Sequence, residues 1–137
     1  MPTNLLTRAV LFAACLFLLL AGCSRRADTS LAPVSGKVCY QGQPLRTGTI
    51  VFTPDSVRGT SGELARGDIQ PDGSYRLKSG DLLGTVSGSH RVTVIAVEET
   101  AGAPHSLLPL KYRDPEMSGL TCEVAPGREN TINFNLQ

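Results

Sequence analysis

The residues able to do chemistry in this 137-residue chain are few: four cysteines, two histidines and 12 carboxylates. Cys23 is the most informatively placed. It directly follows Leu20-Ala21-Gly22, at the close of an apolar run. Small side chains at Ala21 and Gly22 leave the peptide bond before Cys23 open to a protease. The two histidines fit no zinc-hydrolase spacing. Arg91-Val92-Thr93 follows His90 and Ser106-Leu107-Leu108 follows His105, so neither His-x-x-Glu nor His-Glu-x-x-His occurs. His90 is expected to fill an inward strand position and His105 to decorate a loop. Asp68, Asp72 and Asp81, with Asp55 or Glu63, offer the oxygen ligands that calcium takes, but the EF-hand spacing is missing. They read as solvated turn residues, and no metal is expected. In Gly84-Thr85-Val86-Ser87-Gly88 the serine stands one place late for a nucleophile elbow. No glycine loop of phosphate-cradling type occurs either. No catalytic residue, no cofactor and no enzymatic activity are expected.

The stretch before Cys23 has the build of a secretory signal. Met1 to Arg8 is a short polar head with one positive charge, and Ala9 to Ala21 is an unbroken apolar run of 13 residues. A signal core takes about 7–15 residues and a spanning helix about 20, so this segment is too short to remain in a bilayer. Leu20-Ala21-Gly22-Cys23 resembles the lipobox of bacterial lipoprotein precursors. That resemblance implies cleavage between Gly22 and Cys23, lipidation of Cys23 and residence in the cell envelope, on a membrane facing the periplasm or the cell surface. Ser24 at the next position lacks the aspartate that retains some lipoproteins at the inner membrane.

The expected organisation is a signal peptide helix over 1–22, the lipidated cysteine and a flexible tether over 23–33, and a domain over 34–137. Fully extended, the tether reaches about 35 Å. Arg8 is the only charge lost with residues 1–22, which leaves 12 basic against 12 acidic residues. A nucleic-acid binder shows a basic excess, so no nucleic-acid partner is expected. Neutrality also leaves membrane attachment to acyl chains rather than to charge, and more than one chain is needed for stable anchoring.

From Val34 onward the pattern is β. Alternation of apolar and polar residues marks strands at Val34–Tyr40, Tyr75–Leu77, His90–Val97, Leu120–Val124 and Thr131–Leu136. Thr49–Thr53 is β-branched and aromatic, and Ala65–Ile69 is a weaker strand interrupted by Gly67. Pro71-Asp72-Gly73 and Pro126-Gly127 are turn signals. Seven short strands between turns predict an all-β, antiparallel, Greek-key sandwich. Two loops, 54–62 and 98–109, are long enough to carry binding.

The order of these motifs resembles the carboxypeptidase regulatory-like domain, a transthyretin-like β-sandwich. Gly36-Lys37-Val38, Gly42-Gln43-Pro44-Leu45 and Thr49-Ile50-Val51-Phe52 are similar to its opening. Asp72-Gly73-Ser74-Tyr75-Arg76-Leu77 is similar to its hairpin, and Ser87-Gly88-Ser89-His90-Arg91-Val92-Thr93-Val94 to a later strand. There Ser87 stands where the family has proline and His90 where it has tyrosine. Pro109 to Pro115 with Ser118-Gly119-Leu120 resembles a signature of small planctomycete-type lipoproteins. The resemblance implies a fold, with no catalytic residue to carry over.

Cys39 and Cys122 are the cysteines left within the domain. Alternation points Cys122 inward with Leu120 and Val124, and Cys39 outward with Ser35 and Lys37, which disfavours a bridge without excluding one. The functional expectation is a lipid-anchored envelope protein with a structural or protein-interaction role. The alternative is a carbohydrate- or peptide-binding module using loops 54–62 and 98–109. The lack of Trp weakens the sugar version, since sugar sites want exposed aromatic rings.

Overall fold

The computed structural model describes residues 30–137, so the signal segment, Gly22 and Cys23 lie outside the described residues. In chain order the strands are β1 (Val34–Tyr40), β2 (Gln43–Pro44), β3 (Thr49–Pro54), β4 (Ala65–Asp68), β5 (Ser74–Arg76), β6 (Lys78–Ser79) and β7 (Leu82–Leu83). They continue with β8 (Gly88–Ile95), β9 (Val97–Thr100), β10 (Ala103–Ser106), β11 (Leu120–Val124), β12 (Asn130–Thr131) and β13 (Phe134–Leu136). Among the described residues, two short 3₁₀ turns, Ser56–Arg58 and Leu110–Arg113, complete the regular structure. The described residues are all-β, and their sheets form the expected β-sandwich.

The larger sheet is antiparallel throughout, in the order β11-β8-β3-β4-β6-β7. Its inner face follows directly from the alternation. Ile50 and Phe52 on β3, and Val92 and Val94 on β8, are wholly buried. Gly67 does not break β4 as its propensity suggests. It pairs with Ile50, and a Cβ there would lie 2.7 Å from the Arg76 carbonyl oxygen, so glycine lets β5 approach β4 closely.

The second sheet is built on β1. It pairs antiparallel with β2 and β5, but parallel with β12 and β13. Alternation reveals which face is buried, not which strands are neighbours, and a parallel pair needs a long crossover between its strands. Here nearly the whole domain serves as that crossover. The last predicted strand is split in two where Asn133 replaces the ladder: its Oδ1 accepts the Lys37 N–H at 2.8 Å. Val34, Val38, Tyr75, Phe134 and Leu136 of this sheet meet Phe52 and Leu77 in one core.

The loop expected over 98–109 is mostly a hairpin. β9 and β10 pair only with each other, around a two-residue turn with positive φ at both Ala101 (52°) and Gly102 (82°). Two such residues in succession match the twist of the strands they join. The loop expected over 54–62 contains the Ser56–Arg58 turn, capped by the Asp55 carboxylate.

Register defines two ends of the sandwich. At one end lie Pro54 opposite His90, Ala65, the β6–β7 turn and the start of β1. There Ala32 and Thr85 form an isolated two-way bridge, N–H to O at 2.8 and 3.0 Å. At the other end lie Thr49 opposite Ile95, the Gln41-Gly42 turn and the β9–β10 hairpin.

Candidate functional site

The outward residues of five strands converge on an open groove of about 890 Å³. β1 contributes Ser35 and Lys37, β4 contributes Arg66 and Asp68, and β5 contributes Ser74 and Arg76. Lys78 and Thr131 extend the lining from β6 and β12. Most of them are polar residues next to a buried apolar one, such as Lys37 beside Val38, Arg66 beside Ala65 and Arg76 beside Leu77. The groove therefore carries hydrogen-bonding and cationic groups around a floor that includes Gly36, Gly67 and Tyr75. Arg66 and Lys78 are direct cross-strand partners, an arrangement that like charges disfavour. Lys37 is 4.0 Å from Asp72, which also accepts from the Ser74 N–H and hydroxyl at 3.0 and 2.6 Å. These hydrogen bonds, more than the Lys37 charge, hold the Asp72 carboxyl below its usual range. Such a surface can bind and orient a polar or anionic group.

A second cluster ties the 54–62 loop to β8. The Asp55 carboxylate accepts the Val57 N–H at 3.1 Å and faces Arg91 at 3.3 Å and Arg58 at 3.9 Å. Arg91 reaches on to Glu116 at 2.6 Å. Burial pushes the Asp55 carboxyl up, but the Arg91 hydrogen bond and charge, with two backbone amides, outweigh it and leave the group below its ordinary range. Asp55 is thus an ionised cap, engaged on both oxygens.

The strongest nucleophile–base contact is Thr85 Oγ1 to His90 Nε2, at 3.2 Å. Nδ1 lies 3.0 Å from the Gly88 carbonyl oxygen, so it carries the proton and Nε2 accepts from Thr85. Thr85 and His90 are both sealed from solvent, and the Phe52 ring centroid stands 5.8 Å from that of His90. Burial lowers the His90 pKa, only partly offset by the Gly88 carbonyl and the Glu123 charge. The pair is a satisfied polar contact inside the core, and it replaces the water that a buried imidazole and hydroxyl would otherwise need.

The remaining candidate residues are dispersed. Cys39 lies on β1 and Cys122 on β11, opposite His90, and both are free thiols in different sheets. Cys122 packs against the core, where burial and then the Glu123 charge push its thiol up to about 12. Cys39 is half-buried rather than fully outward. His105 is exposed on β10 rather than on a loop. Among the described residues no three His, Cys, Asp or Glu side chains gather as a metal set. The two segments expected to carry binding, 54–62 and 98–109, sit at opposite ends. Phe52, Tyr75, Phe134 and Tyr112 are buried and Tyr40 half-buried. Tyr75 donates its hydroxyl to the Ile132 carbonyl at 2.6 Å.

Sequence reasoning misses the Asp55–Arg91–Glu116 link and the Thr85–His90 contact. Asp55-Ser56-Val57-Arg58-Gly59 carries a readable local signal, a capping aspartate before a left-handed glycine at φ 84°. The Arg91 partnership depends on strand pairing and has no local signal.

No family model matches the chain, and no curated protein matches it. A 9R-lipoxygenase structure from Cyanothece PCC8801 is similar over 77% of this chain at 12% identity and a TM-score of 0.43. The chain spans only 16% of that enzyme's length.

Proposed function

We propose that this chain is a lipid-anchored protein of the bacterial cell envelope, with a sandwich domain in a structural or protein-interaction role. One observation carries the reading: Leu20-Ala21-Gly22-Cys23 closes an apolar run of 13 residues behind a short basic head. That length suits a signal core and falls short of a bilayer span. Cys23 is then the site of acylation and Gly22–Cys23 the cleaved bond. The balance of 12 basic and 12 acidic residues beyond residue 22 supports anchorage by acyl chains over charge.

The non-catalytic part is supported by where reactive side chains reside. The Thr85–His90 pair is enclosed, and His105 lies on the exposed β9–β10 hairpin at the other end. The carboxypeptidase regulatory-like resemblance adds a fold without a reaction.

The test is Cys23→Ala in the native host. The wild-type chain should incorporate radiolabelled palmitate and sediment with membranes, whereas the variant should lose essentially all label. A variant that still labels would overturn the assignment.

A further inference from the structure

We propose that the Ala32 end of the domain lies on the bilayer, with the β6–β7 hairpin tip as its contact. This inference rests on the anchoring of Cys23 and names the surface that the anchored domain meets.

Three observations lead there. The first is where the chain enters the fold. Ala32 is clamped to Thr85 in both directions, and Pro33 next to it lines one cleft with Leu83 and Gly84. Gly84 holds φ 103°, and a Cβ at that position would collide with the Ala32 carbonyl. Nine residue steps from Cys23 to Ala32 reach at most about 30 Å, so this end of the domain is the one confined near the acyl chains.

The second is exposed apolar surface at the same end. Leu82 is 67% and Leu83 53% exposed, on the two faces of β7 directly after the Gly80-Asp81 turn. Leu64, 44% exposed, is next to the turn at Gly80-Asp81, with which it lines one cavity. Adjacent exposed leucines at a hairpin tip cost solubility, and a bilayer interface is an apolar sink for them.

The third is charge. β4, β6 and β7 place Arg66, Lys78 and Leu83 in one cross-strand row. Arg76 lines a cleft together with Leu83. None of the three cations has a carboxylate within ion-pair distance among the described residues, so they are available to lipid phosphates. Asp81 in the turn, Glu63 beside it and Glu129 in the Arg76 cleft offset these cations, which makes Leu82 and Leu83 the main contact and the cations a complement. The far end is different: its hairpin carries Glu98 and Glu99, which an anionic surface repels. Leucines inserted to the level of the headgroups with arginine and lysine just above them is the arrangement found in interfacial segments.

The chain has no Trp, so a single introduced Trp reports its own surroundings. Purified full-length, acylated Leu83→Trp and Val97→Trp proteins are reconstituted into phosphatidylethanolamine–phosphatidylglycerol vesicles, with or without brominated acyl chains. Acylation is verified by mass on each sample. Leu83→Trp should be quenched by bromolipid at least about twofold more than Val97→Trp and emit at shorter wavelength, as expected of a side chain within the interface. Equal quenching in acylated protein would overturn the orientation and leave the anchoring intact. Absence of the acyl mass would overturn the anchoring, and the orientation with it. Should Leu83→Trp fail to fold, Leu82→Trp reports the same end from the other face of β7, and should also be quenched more than Val97→Trp.

Discussion

The two ends of the sandwich are built on different principles. The Ala32 end is held by ties between residues far apart in sequence: Ala32 to Thr85, Asp55 to Arg91, and Asn130 to Pro33. Asn130 is nearly buried, and its side chain also meets the backbone of Ala125 and Arg128. The hairpin end is local. β9 and β10 pair only with each other, and all of Val97 to His105 is exposed. An isolated two-stranded ribbon is marginal in water, whereas ties into a core share its cooperativity. One end is therefore rigid and the other is free to vary, although the same alternating pattern wrote both.

That contrast can be broken at the core, at the turns and through pH. Phe52 is the ring that joins the sheets, with centroids 6.2 Å from Tyr75, 5.8 Å from His90 and 6.0 Å from Phe134. Phe52→Ala should cost about 3–5 kcal/mol in a urea unfolding curve. A loss below about 1 kcal/mol would mean the sheets are not held through this ring.

Next come two glycines with the same kind of backbone and different surroundings. Gly84 and Gly102 both have positive φ, 103° and 82°, but only at Gly84 would a Cβ meet another backbone. Gly102→Ala should cost about 1 kcal/mol from the left-handed conformation alone. Gly84→Ala should cost about 2–3 kcal/mol, because it also forces Ala32 from Thr85. Equal costs would erase the difference between the ends.

The smallest effect is in pH. His90 is buried neutral with its pKa lowered from 6.5, so the unfolded chain binds the proton more readily. Its contribution is complete above the unfolded value and declines as pH falls below 6.5, until the folded ring also protonates. His90→Asn should flatten the stability–pH profile between pH 7 and 5, and an unchanged slope would show that other groups set it. Asp55 acts in the same direction at lower pH, since its depressed carboxyl loses its stabilisation only as pH falls through the acid range below 3.8.

Much of the inner surface was legible in the residue order. Ile50 and Phe52, Val92 with Val94 and Ala96, and the Asp72-Gly73 turn all stand where alternation and turn chemistry place them. The second long loop was not legible, because its turn residues Ala101-Gly102 are an uncommon pair for two left-handed positions. His90 stands inward as its strand position indicates, but its hydrogen bond with Thr85, five residues away across a turn, was not legible. The groove escaped because its residues come from five strands, each of which displays only an ordinary polar position.

The chain's own order of residues determined its all-β character, the buried side of each strand and the place of Cys23 behind an apolar run. These are local properties, set by side-chain period, turn preference and segment length. Only the tertiary structure decided that β1 lies parallel to β13, that Cys39 and Cys122 stand in separate sheets, and that Leu82 and Leu83 share an end with Ala32. Those outcomes depend on which strands pair, and pairing is decided by the summed packing of the whole core, which no short window of sequence contains.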